Sequence, residues 1–426
     1  MPNRPRPRSS ILPRLAAVGF VVVIAAATLW PMPGAPQPAE GLCVICGSLG
    51  GIDFLSNIAL FVPLGVSLVA AGTRPTTTVI LGAAFSLGIE ALQWQTIAGR
   101  DASLGDLFSN TLGTALGAAL MSYRRLLLLP SPRVARRLAR GMTVLVIVVG
   151  SASAWAMRPA PVVYKYWSQW APVRHNYHPF QGRLLTLVLD NHPIPLGAEI
   201  DPTREDSSFA QGLFEVKAVI LPDSMPVGTG LIARAGNPID EEFELAQRGH
   251  DLLFRARRNA SRLAIRTPVI VLRNAFVGPP GVVYHVSART RRAHIDLSST
   301  VDGGATVADS VPLTIGRIWQ SLAPIEVRDV RWHGPGATAA MALLLLPLAY
   351  WAASGVMLSA ATVWLGTVAL VLIGGIPVVA GIAPGGAWES LGLVLGATVG
   401  IALARFTVAR TSASGGRPMR SANPLH

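Results

Sequence analysis

The sequence predicts a polytopic α-helical membrane protein, with about eight transmembrane helices and an extracytoplasmic antiparallel β-sandwich. Three observations lead there. Hydrophobic residues make up 51% of the 426-residue chain against 14% charged, and mean hydropathy is +0.45. That balance is too apolar and too weakly charged for an ordinary soluble protein. Apolar runs of membrane length recur in two blocks, before residue 158 and after residue 336. The formal charge of +13 is also unevenly placed. Arg4, Arg6, Arg8, Arg14, Arg74, the set from Arg124 to Arg140, and Arg405, Arg410, Arg417 and Arg420 lie in segments without one acidic residue. Such segregation is what the positive-inside rule expects of cytoplasmic loops, so the basic excess points to a membrane rather than to nucleic acid.

Taken in order, residues 15–30 form the first apolar run behind an Arg/Pro-rich start, read either as a span or as a cleaved signal. A Pro/Gly-rich outer loop, 31–52, follows with Cys43 and Cys46. This CxxC permits an i,i+3 disulfide, free thiols, or redox or metal chemistry; alone it cannot supply four zinc ligands. Asp53 to Ala71 returns inward with Pro63 and Gly65 in its middle, 76–97 runs outward, 104–122 inward, and 142–157 outward again. The N-terminal membrane domain thus covers 1–158.

Residues 160–335 differ in character, with 19 basic and 17 acidic residues and no membrane-length run. Short alternating stretches recur at 214–222, 251–258, 262–267, 282–290 and 292–299, separated by turn residues. That is the pattern of an antiparallel sandwich. The aromatic run YKYWSQW, 164–170, reads as an interfacial belt directly after the fifth span. The histidines of this segment lack ligand spacing, so no metal or cofactor is expected. Three more apolar runs, 337–351, 359–379 and 387–403, make up a C-terminal membrane part over 336–405, before a basic cytoplasmic tail, 406–426. In this register both termini are cytoplasmic, and the sandwich lies outside a bacterial inner membrane.

The candidate site is a polar cluster around the turn between the third and fourth spans. Glu90 and Gln93 are one helical turn apart, Arg100 lies in the turn with Asp101, and Asp106 and Asn110 stand at i and i+4. Asn57, at the outer end of the second span, reaches a similar depth. Gly113 and Gly117 form a small-xxx-small step that admits a neighbouring helix closely. A lone charge in a membrane helix costs roughly 2.5–3.5 kcal/mol on insertion scales, so these groups are either paired or functional. Two readings follow from the residues. One is an ion-pair and amide network that ties helices together. The other is a wet outward pocket for a polar headgroup or sugar.

The residues of this argument also resemble a known family. NIALFVPLG (57–65), IEALQ (89–93) and R-x5-D-x3-N-x2-G-x3-G (100–117) look like the VanZ-like family of polytopic membrane proteins, over about 43–122. The matching positions are Asn57, Pro63, Gly65, Glu90, Gln93, Arg100, Asp106, Asn110, Gly113 and Gly117. The resemblance implies a cell-envelope context and a link to glycopeptide resistance, but no defined reaction. The middle segment resembles a concanavalin A-like, laminin G-type sandwich through FEVKAVILP, GLIARAGN, FELAQRG and DLLFRARR. That likeness implies a carbohydrate- or envelope-binding role. The expected ligand is therefore membrane lipid, a lipid-linked glycan, cell-wall carbohydrate or a glycopeptide. A membrane enzyme is the alternative, with Glu90 and Asp106 as acid and base and Arg100 clamping a phosphate. A transporter is the second, hinted at by Pro63–Gly65 and Pro377.

Overall fold

The computed structural model describes residues 11–30, 50–96, 103–173, 177–203, 207–224, 226, 228–237, 240–279, 281–321 and 333–415. Helices α1 (Ile11–Leu29), α2 (Gly50–Ala70), α3 (Pro75–Thr96) and α4 (Leu104–Ser122) form the first bundle. The short α5 (Arg124–Leu128) leads to α6 (Pro132–Met157). After the β domain, with its short α7 (Ser207–Ala210) and α8 (Arg317–Gln320), come α9 (His333–Gly355), α10 (Leu358–Leu370), α11 (Ile376–Ala380) and α12 (Ala387–Gly415).

Seven of the described helices are long and apolar enough to cross a membrane: α1, α2, α3, α6, α9, the joined α10–α11 and α12. The helix in the place of the expected fourth span, α4, forms over 19 residues but is not among them. Its composition explains why, since it carries Asp106, Ser109, Asn110 and two threonines. The helix in the place of the expected fifth span, α6, differs from expectation too. It begins at Pro132, so the Arg133–Arg140 stretch is helix rather than loop. Pro132 at its first position suits a helix start. Ala135 and Ala139, one turn apart, are fully buried while the adjacent arginines point outward.

Between α10 and α11 the chain makes one π-helical turn, Val371–Gly375. Pro377 has no N–H to give the carbonyl of Ile373, four residues back; that oxygen instead accepts from Gly385 N at 2.7 Å. The proline is thus satisfied locally by the turn that follows α11.

The β domain has two six-stranded antiparallel sheets. One is ordered β4 (Glu199–Ile200), β1 (Tyr166–Trp170), β6 (Thr229–Gly236), β7 (Glu241–Arg248), β8 (Asp251–Ala256), β9 (Ile270–Leu272). The other is ordered β12 (Thr306–Pro312), β11 (His294–Val301), β10 (Tyr284–Thr290), β5 (Glu215–Pro222), β2 (Gly182–Leu189), β3 (His192–Pro193). Alternate residues fill the space between them, among them Phe214, Val216, Ile220, Phe243, Phe254 and Leu297, all at most 3% exposed. Two expected stretches differ. Residues 262–267 form no strand, because the chain turns through a 3₁₀ segment, Asn259–Leu263, into a left-handed Ala264. The aromatic run 164–170 supplies β1, whose Tyr166 and Ser168 alternate into the interior.

The two ends of the helical assembly are unlike. At one end the β domain is fastened to helix starts and finishes. Gly51 N donates to Ala264 O at 3.1 Å, Asn259 Nδ2 to Trp155 O at 3.2 Å, and Ala383 N to Leu313 O at 3.0 Å. The Thr314 hydroxyl donates to the Glu389 carboxylate at the start of α12. At the other end lie α5 and the arginine-bearing start of α6. There Trp351 Nε1 donates to Leu127 O at 2.9 Å, and the Tyr350 hydroxyl donates to Leu128 O.

Candidate functional site

The site is set by α2, α3 and α4. A β-carbon on Gly117 would collide with Val62 O and Val66 N, one on Gly113 with Ile58 O, and one on Gly65 with Thr114 O. Numbers rise together along the two helices, so α2 and α4 run parallel with their backbones in contact. Only glycine at these positions lets carbonyls approach so closely. Both helices therefore start at the end that carries the β domain, as Gly51 beside Leu263 O also shows. Helix α3 runs the opposite way and brings Glu90 and Gln93 to that same end.

There the polar side chains are tied to helix ends. Ser103 is the N-cap of α4, its hydroxyl accepting from Asp106 N at 3.2 Å. Glu90 Oε2 accepts from Ser103 N at 2.7 Å. The carboxylate thus sits over the start of α4, where free N–H groups and the helix dipole favour negative charge. Gln93 Nε2 donates to Thr28 O at 2.9 Å, fastening the end of α1. Asn110 Nδ2 donates to Ser86 Oγ at 2.9 Å, joining α4 to α3. Glu90, Gln93 and Asn110 are buried, Asn57 and Asp106 half-buried.

The structure thus brings Glu90, Gln93, Asp106 and Asn110 to one end of three helices. Among the described residues no hydrogen bond joins Asn57 to them. Arg100, Cys43 and Cys46 lie outside the described residues. Two acceptors, Gln93 Oε1 and Asn110 Oδ1, are buried without a hydrogen-bond partner among the described residues. The sequence reading missed Ser103, Ser86 and Thr28. Ser103 had a signal, since a serine three residues before Asp106 at a helix start is a capping pattern. Ser86 and Thr28 had none, because each acts only through a residue far along the chain. No group of three or more His, Cys, Asp or Glu side chains suited to a metal occurs among the described residues.

Residues 14–128 match the family described as VanZ/LLP1. The match spans α1 to α5 and every residue of the polar cluster, and stops before α6 and the β domain. A curated relative, the C-glycoside 3-oxidase of Arthrobacter globiformis, is 32% identical over 124 residues, or 29% of this chain and 23% of that protein. The chain therefore spans about a quarter of that relative's length. No solved structure matches. The N-terminal segment is thus similar to the VanZ/LLP1 family, seven of the described helices are long and apolar enough to cross a membrane, and the family match does not reach the β domain.

Proposed function

We propose that this chain is a multi-pass inner-membrane protein of the cell envelope, with an outward-facing polar pocket bounded by Glu90, Gln93, Arg100, Asp106 and Asn110. Its ligand is a lipid-linked, glycan or glycopeptide-type molecule, and the β domain is a concanavalin A-like sandwich on the same, extracytoplasmic side. One observation carries the reading. The polar cluster and the β domain share one end of the helices, while the clustered arginines share the other. With arginines cytoplasmic, the cluster opens toward the envelope. The unpartnered acceptors Gln93 Oε1 and Asn110 Oδ1 support a ligand that brings donors, as sugar hydroxyls do.

The bonds Glu90–Ser103, Gln93–Thr28 and Asn110–Ser86 favour a second reading, in which the cluster only holds the helices together. Lipids and glycans retained by the chain purified in native membrane discs decide between them, compared across wild type, Arg100→Ala, Glu90→Gln and Asp106→Asn. The binding reading expects all four to accumulate, with the copurifying ligand lost from the Arg100→Ala and Asp106→Asn forms. Failure of Glu90→Gln and Asp106→Asn to accumulate, with retention unchanged in Arg100→Ala, is the outcome of the purely structural reading.

A further inference from the structure

A cavity of about 570 Å³ lies away from the polar cluster, in the seam between the β domain and the membrane helices. Its volume is in the range of small-molecule sites. One wall comes from the edge strands of the two sheets, with Val271 from β9 and Val307 and Val311 from β12. The facing wall is Gly334 and Pro335 at the start of α9 and Trp388 at the start of α12. Those two helices are candidate spans from Gly334 and Ala387 onward, so the cavity sits at the level where chain leaves the bilayer. Trp388, 48% exposed, occupies the depth that tryptophan prefers at a membrane boundary.

Three charges line this otherwise apolar space: Arg273, Arg317 and Asp309. Neither arginine forms an ion pair among the described residues. Arg317 Nε is held by Pro312 O at 2.6 Å, which fixes the guanidinium while leaving its terminal nitrogens available. Burial depresses this guanidinium below its usual value, with Glu389 and Asp309 opposing. Glu389 is also a counter-charge to Arg317, but its carboxylate is held by the Thr314 hydroxyl and by Gly386 N at 3.0 Å and does not line the cavity. Within the lining itself two guanidinium groups face one carboxylate, beside an apolar wall at the membrane boundary.

We propose that this seam binds an anionic phosphodiester lipid, its phosphate on Arg273 and Arg317 and its glycerol and first acyl carbons against Trp388 and the valines. The two lining guanidinium groups attract the negative charge of a phosphodiester, and their forks suit phosphate oxygens. A free sugar would leave the valine wall uncovered. The site rests on α9 and α12 being membrane spans, and is independent of the polar cluster.

The test is native mass spectrometry of the full-length chain released from discs containing phosphatidylglycerol and phosphatidylcholine in equal amounts. Phosphatidylglycerol is expected to be the retained lipid. Arg273→Gln and Arg317→Gln should each weaken its retention about fivefold, as loss of one arginine near a membrane surface does, and Asp309→Asn should strengthen it. Glu90→Gln should leave it unchanged. Equal retention of the two lipids overturns the proposal, as does phosphatidylglycerol retained undiminished by both arginine variants. Millimolar inorganic phosphate that protects the chain from thermal unfolding as well as the lipid does would assign the site to a free anion instead. Arg273 is exposed in the turn that follows β9, so its variant remains informative if Arg317→Gln fails to fold.

Discussion

Glu242 is fully buried on β7, and neither of its carboxylate oxygens has a hydrogen-bond partner among the described residues. Burial pushes its carboxyl up to about 8, against the pull of Arg257 and Arg258 and with a further push from Asp240. Beside it Arg258, 1% exposed, is pushed down to about 10 by the same desolvation. The sign follows from linkage. In the unfolded chain this carboxyl titrates near 4.5, so folding takes up a proton between that value and about 8. Its contribution to stability is full below about 4.5 and lost as pH rises through about 8, at most about 1.4 kcal/mol per pH unit. The melting temperature of the β domain, followed by near-UV circular dichroism, should therefore fall from pH 5.5 to 8. Glu242→Gln should flatten that slope; an unchanged slope in the variant would assign the dependence to other groups. Strand alternation puts Glu242 and Glu244 on the face away from the sandwich interior. It gives no hint that this face is covered, because the cover is far away in sequence. Arg257 Nη1 donates to Pro161 O, and the Tyr177 hydroxyl to Glu244 Oε2 at 3.1 Å.

At the scale of elements, the contact of α2 with α4 depends on what is missing from three glycines. Spacing of Gly113 and Gly117 shows in the sequence that some helix approaches closely. It does not say that the partner is α2 running parallel, since any small-residue groove looks alike from one side. Replacing Gly117 by Ala puts a methyl group onto Val62 O and should cost about 1–3 kcal/mol through overpacking. Gly88→Ala on α3 has open space around it and should be neutral or slightly stabilising, as alanine is the better helix former. Apparent unfolding temperature in detergent, read by loss of the monodisperse peak after heating, separates the two variants. Equal behaviour would mean that the helices shift apart without penalty. The same packing explains why α4 looks weak as a span. Its buried side is Gly105, Ser109, Asn110, Gly113, Thr114 and Gly117, while Leu104, Phe108, Leu116 and Leu120 are exposed in one stripe. Average hydropathy mixes the two faces, and only the tertiary arrangement shows that the outward one is apolar.

Whether α4 crosses decides the parity of the whole molecule. With it, five crossings precede the β domain, and the N-terminus lies on the opposite side of the membrane from that domain. Without it there are four, and both lie on one side. The packing argues for crossing, because α4 runs beside α2 over its length with its apolar stripe turned outward. Charge argues the same way, since the chain emerging from α4 enters the segment with Arg124, Arg125, Arg133, Arg136, Arg137 and Arg140. The sequence made this segregation plain, because it needs only counting. The contacts that fasten the β domain to α2, α6 and α12 needed the structure, since they join residues up to 213 positions apart, as Gly51 and Ala264 are. A labelling experiment on intact spheroplasts tests the arrangement with a membrane-impermeant maleimide, in a background with Cys43 and Cys46 replaced. Asp302→Cys, in an exposed turn of the β domain, should label without permeabilisation. Ser131→Cys, exposed between α5 and α6, should label only after it. If Asp302→Cys required permeabilisation, the cluster at Glu90 would face the cytosol with the β domain, and the envelope ligand proposed for it would have no access.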